Sequence, residues 1–197
     1  WNNTPSVGGP SGDASSVEVG VKFRASVPGT ITGIRFYKDA ANTGTHTGSL
    51  WTSTGTQLAT ATFSNETASG WQEVTFSSPV TITPGVTYVA SYYAPAGNYT
   101  FSANTFTGAG VTNASNTLTA LQSGVDGSNG VYLVQFGGGF PTSSFNDANY
   151  WVDVTFRPSA GINLFSLTSI TSAAGCVTTG SPLDTAAVSI TQVDATA

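Results

Sequence analysis

Val17-Glu18-Val19-Gly20-Val21-Lys22-Phe23-Arg24 is the stretch that decides the fold. Its apolar residues recur at every second position. Val17, Val19, Val21 and Phe23 therefore point one way, and Glu18, Gly20, Lys22 and Arg24 the other. Alternation with period two belongs to an extended strand, since a helix would scatter these four around its circumference. The stretch predicts a half-buried strand, and the pattern repeats. Ile34 and Phe36 alternate with Arg35 and Tyr37 after the turn Pro28-Gly29. Leu50-Trp51 reads as a short strand, and Ala59, Ala61 and Phe63 as another beyond Ser53-Thr54-Gly55. Gln72-Val74-Phe76 follows Gly70, and Val86-Tyr88-Ala90-Tyr92 follows Thr83-Pro84-Gly85. Val131-Leu133-Gln135 comes next, and Tyr150, Val152, Val154 and Phe156 close the series ahead of Pro158.

Helix signals are nearly missing, because Gly or Pro interrupts every window long enough for one. Eight or more short strands at roughly ten-residue spacing predict an all-β fold. Several strands are apolar on both faces, so the expectation is a two-sheet antiparallel β-sandwich, jelly-roll-like, over residues 1–157. Residues 105–129 interrupt the rhythm with Gly, Asn, Thr and Ser, and read as a long functional or lightly structured loop. Residues 158–197 read as a short C-terminal β extension. Phe165-Leu167 with Ile170, Cys176-Val177, and Val188-Ile190 with Val193 suggest three strands there. So few strands are marginal alone and call for a partner.

Composition narrows the function. The 197 residues carry five Lys and Arg against ten Asp and Glu, a net charge of −5. Five cations cannot neutralise a run of phosphates, which argues against nucleic-acid binding. No run reaches 18 apolar residues, so no membrane-spanning helix is expected. No basic region precedes an apolar stretch, so no signal peptide is read at the start, as for a mature chain or a fragment. One Cys and one His rule out a disulfide scaffold within the chain and any multi-His or Cys-based metal site. The 31 Thr and 24 Ser solvate β surfaces with hydroxyls in place of charge, which suits an extracellular or cell-surface setting.

Catalytic signals are weak. The ten carboxylates are scattered, His46 reads as a hydrogen-bonded turn residue, and no Ser sits in a Gly-x-Ser-x-Gly elbow. The reading is therefore non-enzymatic. No cofactor is expected. Ca²⁺ is the one ion the oxygen-rich turns Asp126-Gly127-Ser128-Asn129-Gly130 and Asn146-Asp147 would suit, although neither has the spacing of a calcium loop. The binding candidates are aromatic. Tyr37, Trp71, Tyr93 and Trp151 fall on the strand faces opposite the clear core positions, where rings could form a planar platform for sugars. Cys176 reads as a small buried hydrophobe. Asn-x-Ser/Thr occurs at Asn2, Asn65, Asn98 and Asn113, about as often as chance provides.

The motifs Val17–Arg24, Gly33-Ile34-Arg35-Phe36-Tyr37-Lys38, Asn42–Trp51, Gly70–Phe76, Tyr88–Pro95 and Tyr150–Phe156 occur in order. Together they resemble a family of bacterial extracellular domains called domain of unknown function 4082. The resemblance covers roughly residues 1–157. It implies a β-sandwich found in secreted, multidomain surface proteins, and no established catalytic residues. One departure is Ala96-Gly97-Asn98-Tyr99, where relatives often carry a His. The tail, through Phe165–Ile170 and Ala174–Gly180, is similar to the second half of immunoglobulin-like repeats of Bacteroidetes surface proteins. Asp184-Thr185-Ala186 resembles the O-glycosylation signal of that group, which makes Thr185 a candidate.

These readings lead to a non-catalytic structural or adhesive protein. In that picture it is a subunit of a surface fibre or array, with Val188, Ile190 and Val193 offered as an added strand to copies of itself or to neighbouring surface domains. The alternative is a carbohydrate-binding module of a larger secreted protein, with polysaccharide as partner.

Overall fold

A computed structural model describes residues 8–159. The chain divides into two units, Trp1–Ala160 and Gly161–Ala197, and the described residues belong to the first. The three expected tail strands, with Thr185, Val188, Ile190, Val193 and Cys176, lie outside the described residues. Among the described residues no helix is long and apolar enough to cross a membrane.

Thirteen strands are found among the described residues. They are β1 (Gly9–Pro10), β2 (Val17–Ala25), β3 (Gly29–Lys38), β4 (Thr47–Thr52), β5 (Gln57–Thr62), β6 (Gly70–Ile82), β7 (Tyr88–Ala94), β8 (Thr100–Phe101), β9 (Val111–Thr112), β10 (Leu118–Ala120), β11 (Val131–Val134), β12 (Ser143–Ser144) and β13 (Val152–Pro158). The large sheet runs β12-β11-β2-β7-β4-β5, with β10 also on β2 and β9 on β10. The small sheet runs β13-β3-β6, and β1 pairs β8 apart from both. Every pairing is antiparallel. The architecture is the expected two-sheet β-sandwich.

The alternating residues of β2 make one wall of the core. Val17, Val19, Val21 and Phe23 are all buried, facing Ile31, Ile34 and Phe36 of β3 and Val152 and Val154 of β13. Phe36 sits at the centre, stacked on Tyr92 at 4.0 Å between centroids and edge-on to Phe63 at 4.9 Å. Each fully buried side chain of this size contributes roughly 1.5–3 kcal/mol of apolar transfer.

Two expectations are corrected. The outer face of β2 is not solvated at Glu18, which is 2% exposed. The residues after β11 fold back over it, and Trp51, Val89 and Val131 form a second apolar cluster there with Phe140 against it. The stretch 105–129 is not a loose loop. It contributes β9 and β10, and buries Phe106 and Leu118 in the main core. Asn129 pins it, its Oδ1 accepting from the Lys22 amide at 2.8 Å and its Nδ2 donating to the carbonyls of Lys22 and Leu121 at 3.0 and 2.7 Å. Gly130 has φ +72°, and a Cβ there would collide with the Ala148 carbonyl, so only glycine lets the chain enter β11.

Candidate functional site

The outer face of the small sheet gathers the side chains best placed to meet a ligand. Its three strands align Asp153 of β13, Arg35 of β3 and Glu73 of β6 in one row across the sheet. Alternation along β3 puts Tyr37 on the same face two residues on, and pairing with β6 sets Trp71 beside it. Arg35 is the hinge of the arrangement. Its Nη2 and Nε donate to Asp153 Oδ2 at 2.7 and 3.1 Å. Its guanidinium carbon lies 4.5 Å from the Trp71 ring centroid, within cation–π range. Thr155 Oγ1 donates to Glu73 Oε1 at 2.9 Å, reaching across the side-chain-free position of Gly33.

Beyond Asp153 the face opens into a cleft of about 230 Å³ at the edge of β13. Its polar wall is Asn113, Ser115 and Thr117 from the β9–β10 turn, facing Arg35 and Asp153, with Phe156 on the apolar side. The turn is internally fixed. Asn113 Oδ1 accepts from the amides of Thr117 and Leu118 at 2.9 and 3.0 Å, and its Nδ2 donates to Thr117 Oγ1 at 3.0 Å. Ser115 and Thr117 share a hydroxyl–hydroxyl bond of 2.9 Å.

The four predicted rings do not form one platform. Tyr37 and Trp71 are together and half-buried, but edge to face, with 86° between their planes. Trp151 is only 8% exposed. The chain takes φ +55° at Trp151, so it breaks the alternation. Its amide bonds Asn149 Oδ1 at 2.9 Å and its indole nitrogen bonds Ser102 Oγ at 3.1 Å. Tyr93 belongs to the other sheet, opposite Glu18, and is covered by the residues after β11. Its hydroxyl accepts from the Gly137 amide at 3.0 Å.

Two buried polar networks lie elsewhere. On the outer face of the large sheet, the Trp51 indole donates to Ser91 Oγ at 2.8 Å, and Ser91 Oγ donates to Glu18 Oε1 at 2.5 Å. Burial outweighs the hydrogen bonds from Ser91 and the Gly139 backbone, and pushes the Glu18 carboxyl up to about 7. At the end of the sandwich His46 is fully buried, its Nδ1 2.9 Å from Glu66 and its Nε2 2.8 Å from Asn42 Oδ1. Lys38 pairs with Glu66 at 2.7 Å, and Asn42 donates to the Tyr92 hydroxyl at 3.1 Å. Burial lowers the His46 pKa against the raising pull of Glu66. Burial raises that of Glu66, but hydrogen bonds from Lys38 and His46 carry it below its usual value. Both ring nitrogens of His46 face structural partners, so it ties loops together.

In the turns considered for Ca²⁺, both carboxylates have protein partners. Asp126 meets Arg24 at 3.5 Å, and Asp147 accepts from Ser123 and Thr107 at 2.5 and 3.1 Å. Among the described residues, no three His, Cys, Asp or Glu gather so as to hold a metal ion.

Two features escaped the sequence reading, the Arg35–Asp153 pair and the 113–118 rim of the cleft. The pair had a signal. Arg35 and Asp153 each sit between two core residues, in Ile34-Arg35-Phe36 and Val152-Asp153-Val154, so neighbouring strands would set them on one outer face.

The strands that build this face carry the motifs of a known family. Residues 2–152 match the family described as "Domain of unknown function (DUF4082)". The chain belongs to that family. No curated protein matches the sequence. The family's matched region takes in β3, β6 and the start of β13, so the Arg35, Tyr37 and Trp71 face lies within it.

Proposed function

We propose that this domain is a non-catalytic adhesive module of the cell exterior that holds saccharide on the outer face of its small sheet. One observation carries the reading. Half-buried Trp71 and Tyr37 stand beside the Arg35–Asp153 pair, and the pair borders a hydroxyl-lined cleft. Sugars present apolar C–H faces, which pack on the faces of aromatic rings, and a ring of hydroxyls, which fixed polar groups meet. Charge poverty fits the same role, since hydroxyl-rich surfaces exchange hydrogen bonds with sugars at little desolvation cost. Affinity electrophoresis through gels loaded with neutral polysaccharides tests the reading. The intact chain is expected to be retarded by at least one of them, and Trp71→Ala and Tyr37→Ala to lose the retardation while keeping the far-ultraviolet spectrum. Free migration of the parent chain through the whole set would refute it.

A second reading, the surface-assembly subunit, is favoured by a separate observation. Val134, Phe136 and Phe145 flank the short β11–β12 edge and are each more than half exposed, Phe136 at 90%. Exposed apolar side chains at a sheet edge suit contact with a copy of the chain or a neighbouring domain. Sedimentation velocity tests it. Concentration-dependent association that Phe136→Ser weakens would support it, and a monomer at every concentration would oppose it.

A further inference from the structure

We infer that the cleft beside Asp153 is the specificity subsite of that face and takes one uncharged sugar unit of a neutral polysaccharide. This rests on the saccharide reading above and adds the ligand class. Size comes first. About 230 Å³ lies below the roughly 300–1,000 Å³ of sites that enclose drug-sized ligands, so the cleft holds one small ring and leaves the rest of a chain outside.

Charge comes next. The two ionic groups in the wall compensate each other. Asp153 Oδ2 takes two donors from Arg35, and Oδ1 takes the Val154 amide at 2.8 Å. The guanidinium carbon lies over the Trp71 ring. The pair supplies polarity without net charge. An incoming carboxylate or sulfate would meet Asp153 with its cation already engaged, and binding one would pull an ion pair apart.

The rim supplies the remaining match. Asn113, Ser115 and Thr117 are held in place by their own hydrogen bonds, so hydroxyls are presented without further ordering cost. A peptide strand is a poorer occupant of the same edge. The Val154 amide is already taken by Asp153, and Pro158 has no N–H, so β13 offers an interrupted ladder.

The test uses the full chain in affinity electrophoresis against neutral glucans, mannans and galactans, with polygalacturonate and alginate as acidic counterparts. Two variants act from Ser115, which is exposed on the rim. Ser115→Trp fills the cleft, and Ser115→Lys adds a cation to it. Retardation by a neutral polymer at least tenfold stronger than by either acidic one supports the inference. So does a tenfold or greater loss in Ser115→Trp, and a gain of acidic binding to within tenfold of neutral in Ser115→Lys. Equal or stronger binding of the acidic polymers by the parent chain overturns it. An unchanged Ser115→Trp alongside a silent Trp71→Ala overturns the subsite while leaving the saccharide face standing. Silence of the parent chain on every polymer overturns both.

Discussion

Replacing Glu18 by Gln should stabilise the domain above neutral pH, because it removes a charge the fold holds at a cost. Glu18 is 2% exposed, and burial raises its carboxyl from 4.5 to about 7 against the opposing bonds from Ser91 and Gly139. The unfolded chain loses this proton near 4.5, the folded chain near 7. Between those values the folded state holds more protons, so stability falls as pH rises through the window and levels off above it. The interval from 4.5 to about 7 corresponds to roughly 3 kcal/mol at most. A Gln side chain keeps the shape and, like the protonated acid, reverses the bond to Ser91. Its carbonyl accepts from the Gly139 amide, and its amide donates to Ser91 Oγ, which already accepts from the Trp51 indole. Glu18→Gln should therefore gain roughly 2–3 kcal/mol at pH 8 and almost nothing at pH 4. Urea unfolding of the full chain at pH 4, 6 and 8, followed by tryptophan fluorescence, measures it. Equal or lower stability of the variant at pH 8 would refute the reasoning, as would a gain of the same size at pH 4.

The other network predicts the opposite slope. His46 binds its proton less readily folded than unfolded, and Glu66 likewise, so both make stability fall as pH drops, His46 below 6.5 and Glu66 below 4.5. With Glu18→Gln as background, stability should decline monotonically from pH 7 to pH 4, and Glu66→Gln, which removes the raising pull on His46, should steepen that decline between pH 6.5 and 4.5. Phe36→Ala empties the stacked centre of the core and should cost about 3–5 kcal/mol in the same urea assay. Gly138→Ala should cost about 1–3 kcal/mol, since φ there is +74° and the added carbon would lie 2.5 Å from Glu18 Oε2 and 3.2 Å from the Tyr93 ring.

The fold was legible because a sandwich core writes itself in alternation. Val17, Val19, Val21 and Phe23 could face only one way, and so could Ile34 with Phe36 and Val152 with Val154. The cover on the second face of β2 was hidden. Glu18 reads as solvated until Gln135–Phe140 folds over it, and nothing local to β2 announces a cover more than a hundred residues away. The same holds for Phe106 and Leu118. They sit among Gly, Thr and Asn, and reach the core only through β10 pairing beside β2 and the Asn129 clamp. The aromatic face was half legible. Tyr37 and Trp71 obey the alternation of β3 and β6 and share a face as read. Trp151 departs because its positive φ turns the ring away, and Tyr93 because the two sheets have two different outer sides.

The central claim is that saccharide sits on the Trp71 face, and indole fluorescence tests it most directly. Trp51 and Trp151 are buried, whereas Trp71 is half-buried on the face itself. Titrating the full chain and its Trp71→Phe variant with the retarding polysaccharide isolates that ring. The account predicts a saturable emission change in the parent chain that is missing from Trp71→Phe, while the variant still binds in the gel. An emission change of the same size in both chains would contradict it.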